Sequence, residues 1–163
     1  MTGADRPAAV RVWQGIEHDD PPAERRSYGD LLRMAESMLS TRRNRFPDLV
    51  AAGRKRAEDA AKEIALFEAI VADWRFVVDG AGEPASPFTL AARRAVLDES
   101  LRTIAAIAAQ QGGFTDTLGC QAACVIALRW HLEPGRETIA LARLTHQLRA
   151  DVAASRKEAA QCH

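Results

Sequence analysis

The chain has 163 residues, the size of a single domain with one hydrophobic core. Its residues are 47% hydrophobic but only 6% aromatic, and alanine supplies much of the apolar share, a balance that suits closely packed helices and speaks against a β-fold, which draws on Val, Ile, Thr and aromatics. Formal charge at pH 7 is zero, so no global field exists to drive the protein onto nucleic acid or an anionic membrane, and any electrostatic function must be local.

Residues 1–26 hold Pro7, Gly15, Pro21 and Pro22 beside the acids Glu17, Asp19 and Asp20, with no sustained period, which predicts a mobile arm. Within it, residues 9–13 read either as a short strand or as a segment docked through Trp13. Ser27 and Asp30 have the placement of an N-cap with an acid in the first turn, and Tyr28, Leu31, Ala35 and Met38 follow at spacings of three and four, predicting a helix over 27–43. Phe46-Pro47 is expected to interrupt it, with one further turn over 48–52 and a corner at Gly53.

Between 54 and 78 the residues Ala57, Ala60, Ile64, Phe67, Val71, Trp74 and Val78 fall on alternating gaps of three and four, a heptad seam. The short corner before it predicts that the two helices fold back antiparallel, as a helical hairpin over 27–79. Asp79, Gly80, Gly82, Pro84 and Pro87 then form a breaker cluster, a linker over 80–87.

Thr89 caps a third helix to about Gln111, with Leu90, Leu97, Leu101, Ile104 and Ala108 on one face and Gly112-Gly113 ending it. Thr115 or Thr117 caps the next, whose stretch 122–128 is apolar on every side and therefore central. Pro134-Gly135 turns the chain into a last helix carrying Ile139, Leu141, Leu144, Leu148 and Val152, which fades into a polar tail over 158–163. The expected fold is all-α: an antiparallel helical hairpin followed by a three-helix bundle over 88–157, about five main helices in all.

Three cysteines, Cys120, Cys124 and Cys162, cannot all pair within one chain, and no leader-like h-region or long apolar run is present, which reads as cytoplasmic with free thiols and no membrane partner. Cys120, Cys124 and His131 share one helix face, yet positions 120 and 131 lie about 16 Å apart along the axis, too far for one ion. Only Cys120 and Cys124 could share a metal, with His146, Cys162 and His163 as conceivable further donors; buried, inert cysteines are the plainer reading. His18 and His146 read as solvated surface.

No phosphate-binding glycine loop, dinucleotide fingerprint, zinc-protease motif or serine-nucleophile elbow occurs, so no cofactor and no catalytic residue are implied. Lys55 with Asp59 and Arg54 with Glu58 sit at the spacing of ordinary surface ion pairs.

Charge is segregated along the chain. From Glu24 to Arg56 nine bases face four acids, whereas from Ala57 to Glu99 four bases face nine. In an antiparallel hairpin Arg42, Arg43, Arg45, Arg54, Lys55 and Arg56 converge at the closed end, a basic tip suited to phosphates or an acidic partner, or else simply solvated or paired within the protein. Only Phe46 is interleaved with these bases, so stacking on single-stranded nucleic acid is not supported.

The stretch Arg42 to Arg54, continued by Ala61-Lys62-Glu63-Ile64, Glu68-Ala69-Ile70 and Ala72-Asp73-Trp74, resembles a pattern in short uncharacterised helical-hairpin proteins of proteobacterial genomes and prophages. That resemblance covers about a third of the chain, implies a mobile-element origin and assigns no activity. The expectation is a non-catalytic helical module that binds a protein partner or a second copy of itself; the alternative is a nucleic-acid-binding accessory protein using the basic tip. A third reading, an enzyme whose site assembles only in the fold, requires a pocket with convergent polar groups.

Overall fold

A computed structural model describes residues 9–84 and 87–162. The expectations for residues 1–8 of the arm, residues 85–86 of the linker and His163 of the tail lie outside the described residues. The chain is mostly helical, with five helices preceded by one short antiparallel strand pair: β1 (Ala9–Trp13), β2 (Ile16–Asp20), α1 (Tyr28–Ala51), α2 (Ala57–Asp79), α3 (Leu90–Gln110), α4 (Asp116–Trp130) and α5 (Thr138–Gln161).

The strand pair corrects the all-α expectation and the mobile arm over 9–26. Trp13 pairs with Ile16 and Val12 with Glu17 across a two-residue turn, in which Gln14 and Gly15 both take positive φ, the geometry that matches strand twist. The pair is held because Trp13 and Ile16 are only 4% and 6% exposed and join the main core. Arg11 adds a two-pronged ion pair to Glu133, at 2.8 and 3.0 Å, and its guanidinium lies 3.7 Å over the Trp13 ring.

Helix α1 does not stop at Phe46-Pro47 as expected. It runs through Pro47 to Ala51, losing one backbone bond where proline lacks an N–H. Phe46 is buried there, with the Lys55 ammonium 4.4 Å above its ring, and the amides of Ala52, Gly53 and Arg54 close onto the carbonyls of Asp48, Val50 and Leu49. The reversal therefore falls at 52–56, where Gly53 adopts φ +70.

Helix α2 buries more than its heptad seam. Ala57 is exposed, while Leu66, Ile70, Phe76 and Val77 are buried beside Phe67, Val71 and Trp74, because α2 packs against α1, α3 and α5 at once. Its Asp73 meets Arg93 of α3 in a buried ion pair, Nε to Oδ2 at 2.9 Å. Burial raises the Asp73 pKa, and the Arg93 charge and hydrogen bond only partly offset it.

Thr89 caps α3 by accepting from the Ala92 amide, and Thr115, of the two candidates, caps α4 by accepting from Leu118. Val125, Ile126, Ala127 and Leu128 of α4 are fully buried. One core cluster runs from Trp13 through Leu31, Phe67, Leu97 and Ile126.

Helix α5 behaves differently. It continues through Gln161, correcting the tail expected from 158, because Ala153, Ala154, Ala159 and Ala160 favour helix and no breaker intervenes. It contributes no fully buried residue: Ile139 and Ala142 rest partly on the core, and every described residue from Gln147 onward is exposed.

Candidate functional site

The six bases singled out from the sequence are brought to one end of α1 and α2, but largely as braces. Arg42 is mostly buried, donates to the Met38 carbonyl and to Ser100 Oγ, covers the Phe67 ring at 3.9 Å and stands 3.4 Å from Glu63. Burial lowers its pKa against the pull of Glu63. Lys55 reaches the same Glu63 oxygen at 3.7 Å, Arg43 pairs with Glu68 and Arg56 with Glu58. Arg45 and Arg54 form no ion pair among the described residues. Four of the six charges are thus matched by carboxylates of α2, which sequence reading had counted as a separate acidic block.

Cys120 is exposed and Cys124 half-buried on α4, with no bond between them. Burial pushes the Cys124 thiol pKa up, with Glu24 and Asp30 acting in the same direction. Among the described residues no group of three or more His, Cys, Asp or Glu side chains is placed to hold a metal ion. His146, a conceivable donor, instead uses Nε2 on the Phe76 carbonyl at 2.8 Å and the Val77 carbonyl at 3.2 Å, covering the C-terminal end of α2. Its ring sits so close to Gly80, at φ +67, that a Cβ there would come within 3.1 to 3.3 Å.

His131 marks a feature the sequence did not reveal. Its Nε2 lies 2.7 Å from the Arg25 carbonyl, which can only accept, so this nitrogen carries a proton; Nδ1, 2.8 Å from Thr138 Oγ1, accepts the hydroxyl proton in the neutral ring. The imidazole packs edge-on against Trp74 and Trp130, each with ring centroids 4.9 Å away. Burial lowers its pKa, the Arg25 bond opposes that and the Arg136 charge reinforces it. His131 thereby clasps the segment before α1, the end of α4 and the start of α5.

Around this clasp opens a cleft of about 440 Å³, lined by Arg25, Arg26, Arg136 and Arg149 and by no carboxylate. Arg136 lies 3.9 Å over the Trp130 ring. Those four arginines are scattered between positions 25 and 149, so no local motif announces them.

The second feature is the outer face of α5. Leu141, Leu144, Leu148 and Val152 are each more than half exposed, the longest run of bare aliphatic side chains among the described residues. The four lie on one stripe of the helix. No helix among the described residues is long and apolar enough to cross a membrane.

No protein-family model, curated protein or solved structure matches the chain.

Proposed function

We propose that the protein is a non-catalytic helical interaction module that works as a pair, two copies joining along the outer face of α5. In this reading an antiparallel hairpin of α1 and α2, with α3 and α4, is the base that holds α5 out. The observation that carries it is the exposure of the helix: from Gln147 to Gln161 it is covered on no side, with Leu148 and Val152 55% and 51% exposed. An isolated helix of about four turns is marginal in water, and packing of an apolar face supplies most helical stability in proteins.

The occupant follows from the pattern. Leu141, Thr145, Leu148, Val152, Ser155, Ala159 and Cys162 recur at gaps of four and three, a seam of coiled-coil period. Ile139 and His146 lie on the other side of the helix and the core contact at Ala142 is at the seam's edge, so the globular bodies stand clear of the seam from Leu148 onward, where every described residue is exposed. Arg149 and Arg156 flank the seam on one edge, Asp151 and Glu158 on the other. A parallel pair sets the basic edge of one helix against the acidic edge of its mate, with Asp151 of one copy facing Arg156 of the other; an antiparallel pair sets like charges together.

Light scattering on the full chain across a concentration series tests the pairing. A dimer is expected, with Leu148→Glu and Val152→Glu both shifting it to monomer while the core stays folded. In a variant retaining Cys162 alone, mild oxidation is expected to give a covalent dimer, because a parallel seam sets the two thiols side by side and an antiparallel one sends them to opposite ends. A monomer at every concentration up to the high micromolar range overturns the proposal.

A further inference from the structure

We propose that the cleft around His131 is a binding site for a small organic phosphate. The proposal rests on the charge of that cleft, which shares Leu141, Thr145 and Arg149 with the start of the α5 seam, so its test reads ligand binding apart from pairing.

Four arginines line the cleft from three separate segments: Arg25 and Arg26 just before α1, Arg136 between α4 and α5, and Arg149 about three turns into α5. No lining residue is acidic. Arg136 stands 3.5 Å from Glu133, which is also engaged by both terminal nitrogens of Arg11. Arg25 spends one N–H on the Pro22 carbonyl, and Arg26 and Arg149 form no ion pair among the described residues. Outside the cleft Arg42, Lys55, Arg93 and Arg129 each meet a carboxylate, as Arg136 does at its edge, whereas Arg25, Arg26 and Arg149 form no ion pair among the described residues.

Unused donors accompany the unmatched charge. The Arg136 Nε and the indole Nε1 of Trp130, both on side chains lining the cleft, are buried with no hydrogen-bond acceptor. Arg136 is stacked on Trp130, which fixes the plane of its guanidinium fork, the geometry that meets a phosphate with two parallel bonds.

Two helix N-termini open on the same space, at Tyr28 of α1 and Thr138 of α5, each a helix of 24 residues whose N-cap side chain makes no capping bond. Helix dipoles favour an anion at such ends, where the chain itself already places Asp30 in the first turn of α1 and Glu137 at the N-cap of α5. The opposing pole, the C-terminal carbonyls of α2, is covered by His146.

The volume of about 440 Å³ admits a small molecule and not a duplex. A phosphoryl group concentrates up to two charges and three acceptor oxygens in one compact head, while Val77, Val78 and Leu141 offer an apolar rest for the organic part.

Calorimetric titration of the full chain at low salt with pyrophosphate and with ATP tests the site, with citrate as the non-phosphate polyanion. Saturable binding of one ATP per chain is expected, weakening as sodium chloride is raised. Arg26→Glu, at an exposed position outside α5, should weaken it at least tenfold, as should Arg149→Glu compared within the unpaired Leu148→Glu background, whereas Arg45→Glu with Arg54→Glu at the far end of α1 should leave it unchanged. Leu148→Glu should also leave it unchanged, which keeps this result separate from that of the helix pairing. No binding overturns the proposal; so does binding lost on changing Arg45 and Arg54 but retained in the cleft variants, and so does citrate binding as tightly as pyrophosphate.

Discussion

Replacing Arg93 by Met tests the energetic reading of the core most directly. Arg93 and Asp73 are 6% and 8% exposed, and the guanidinium makes bonds from Nε to Asp73 Oδ2 at 2.9 Å, from Nη2 to Oδ1 at 3.5 Å and from Nη1 to the Phe88 carbonyl. Methionine fills much of the same volume but leaves a buried carboxylate without its counter-charge, a loss of about 3–5 kcal/mol. Against a total of roughly 5–15 kcal/mol for a domain, that removes about a fifth of the stability or more. At about 2–4 °C per kcal/mol for a chain of this size, Tm falls by roughly 6–20 °C. Urea unfolding followed by circular dichroism at pH 7 reads the change. The deficit should shrink on acidification: burial already raises the Asp73 pKa in the parent, and without the opposing Arg93 charge and hydrogen bond it rises further, so as pH falls the variant's native state takes up the proton first and gains stability relative to the parent. The double variant Asp73→Leu with Arg93→Met should recover most of the loss, since an apolar pair replaces an ionic one at little cost. A single variant within about 1 kcal/mol of the parent, or a double variant no better than the single, refutes the reasoning.

Trp13→Ala should cost about 3–5 kcal/mol in the same urea assay, the range for truncating a buried tryptophan, whereas a mobile arm would give almost nothing. For His131 the folded pKa is depressed below the ordinary 6.5, so as pH falls the unfolded chain protonates first; stability is steady above about pH 7 and declines below 6.5 until the native imidazole itself takes a proton. Thermal melts from pH 7.5 to 5 should show that decline in the parent and lack it in His131→Gln; parallel profiles for the two proteins would contradict the assignment.

The sequence by itself determined which segments are helical and where most of them begin. Thr89 and Thr115 cap their helices through side-chain oxygens, Gly53 and Gly112 fall where positive φ is needed, and Ala122 and residues 125–128 of the all-round apolar stretch of α4 are buried, with Ala123 and Cys124 partly so. Those signals are local: period, cap and breaker act within a few residues, so they survive in a string of letters. Pro47 misled because its penalty is also local, while the packing of Phe46 that outweighs it is not. The β1–β2 pair gave little signal, since only Trp13 and Ile16 of its apolar residues turn inward and they are neighbours only after the chain reverses.

Tertiary structure alone decided where charge is matched and where it is left over. The basic block around Arg42 and the acidic block of α2 read as opposed tracts and prove to be partners through Glu63 and Glu68, whereas Arg25, Arg26, Arg136 and Arg149, unremarkable in their own neighbourhoods, end in one acid-free cleft. Likewise the leucines of α5 looked like one more core face and are exposed. Periodicity tells which side of a helix is apolar, but whether another element arrives to cover it, and which carboxylate meets which arginine, depends on contacts between residues from about twenty to 122 positions apart.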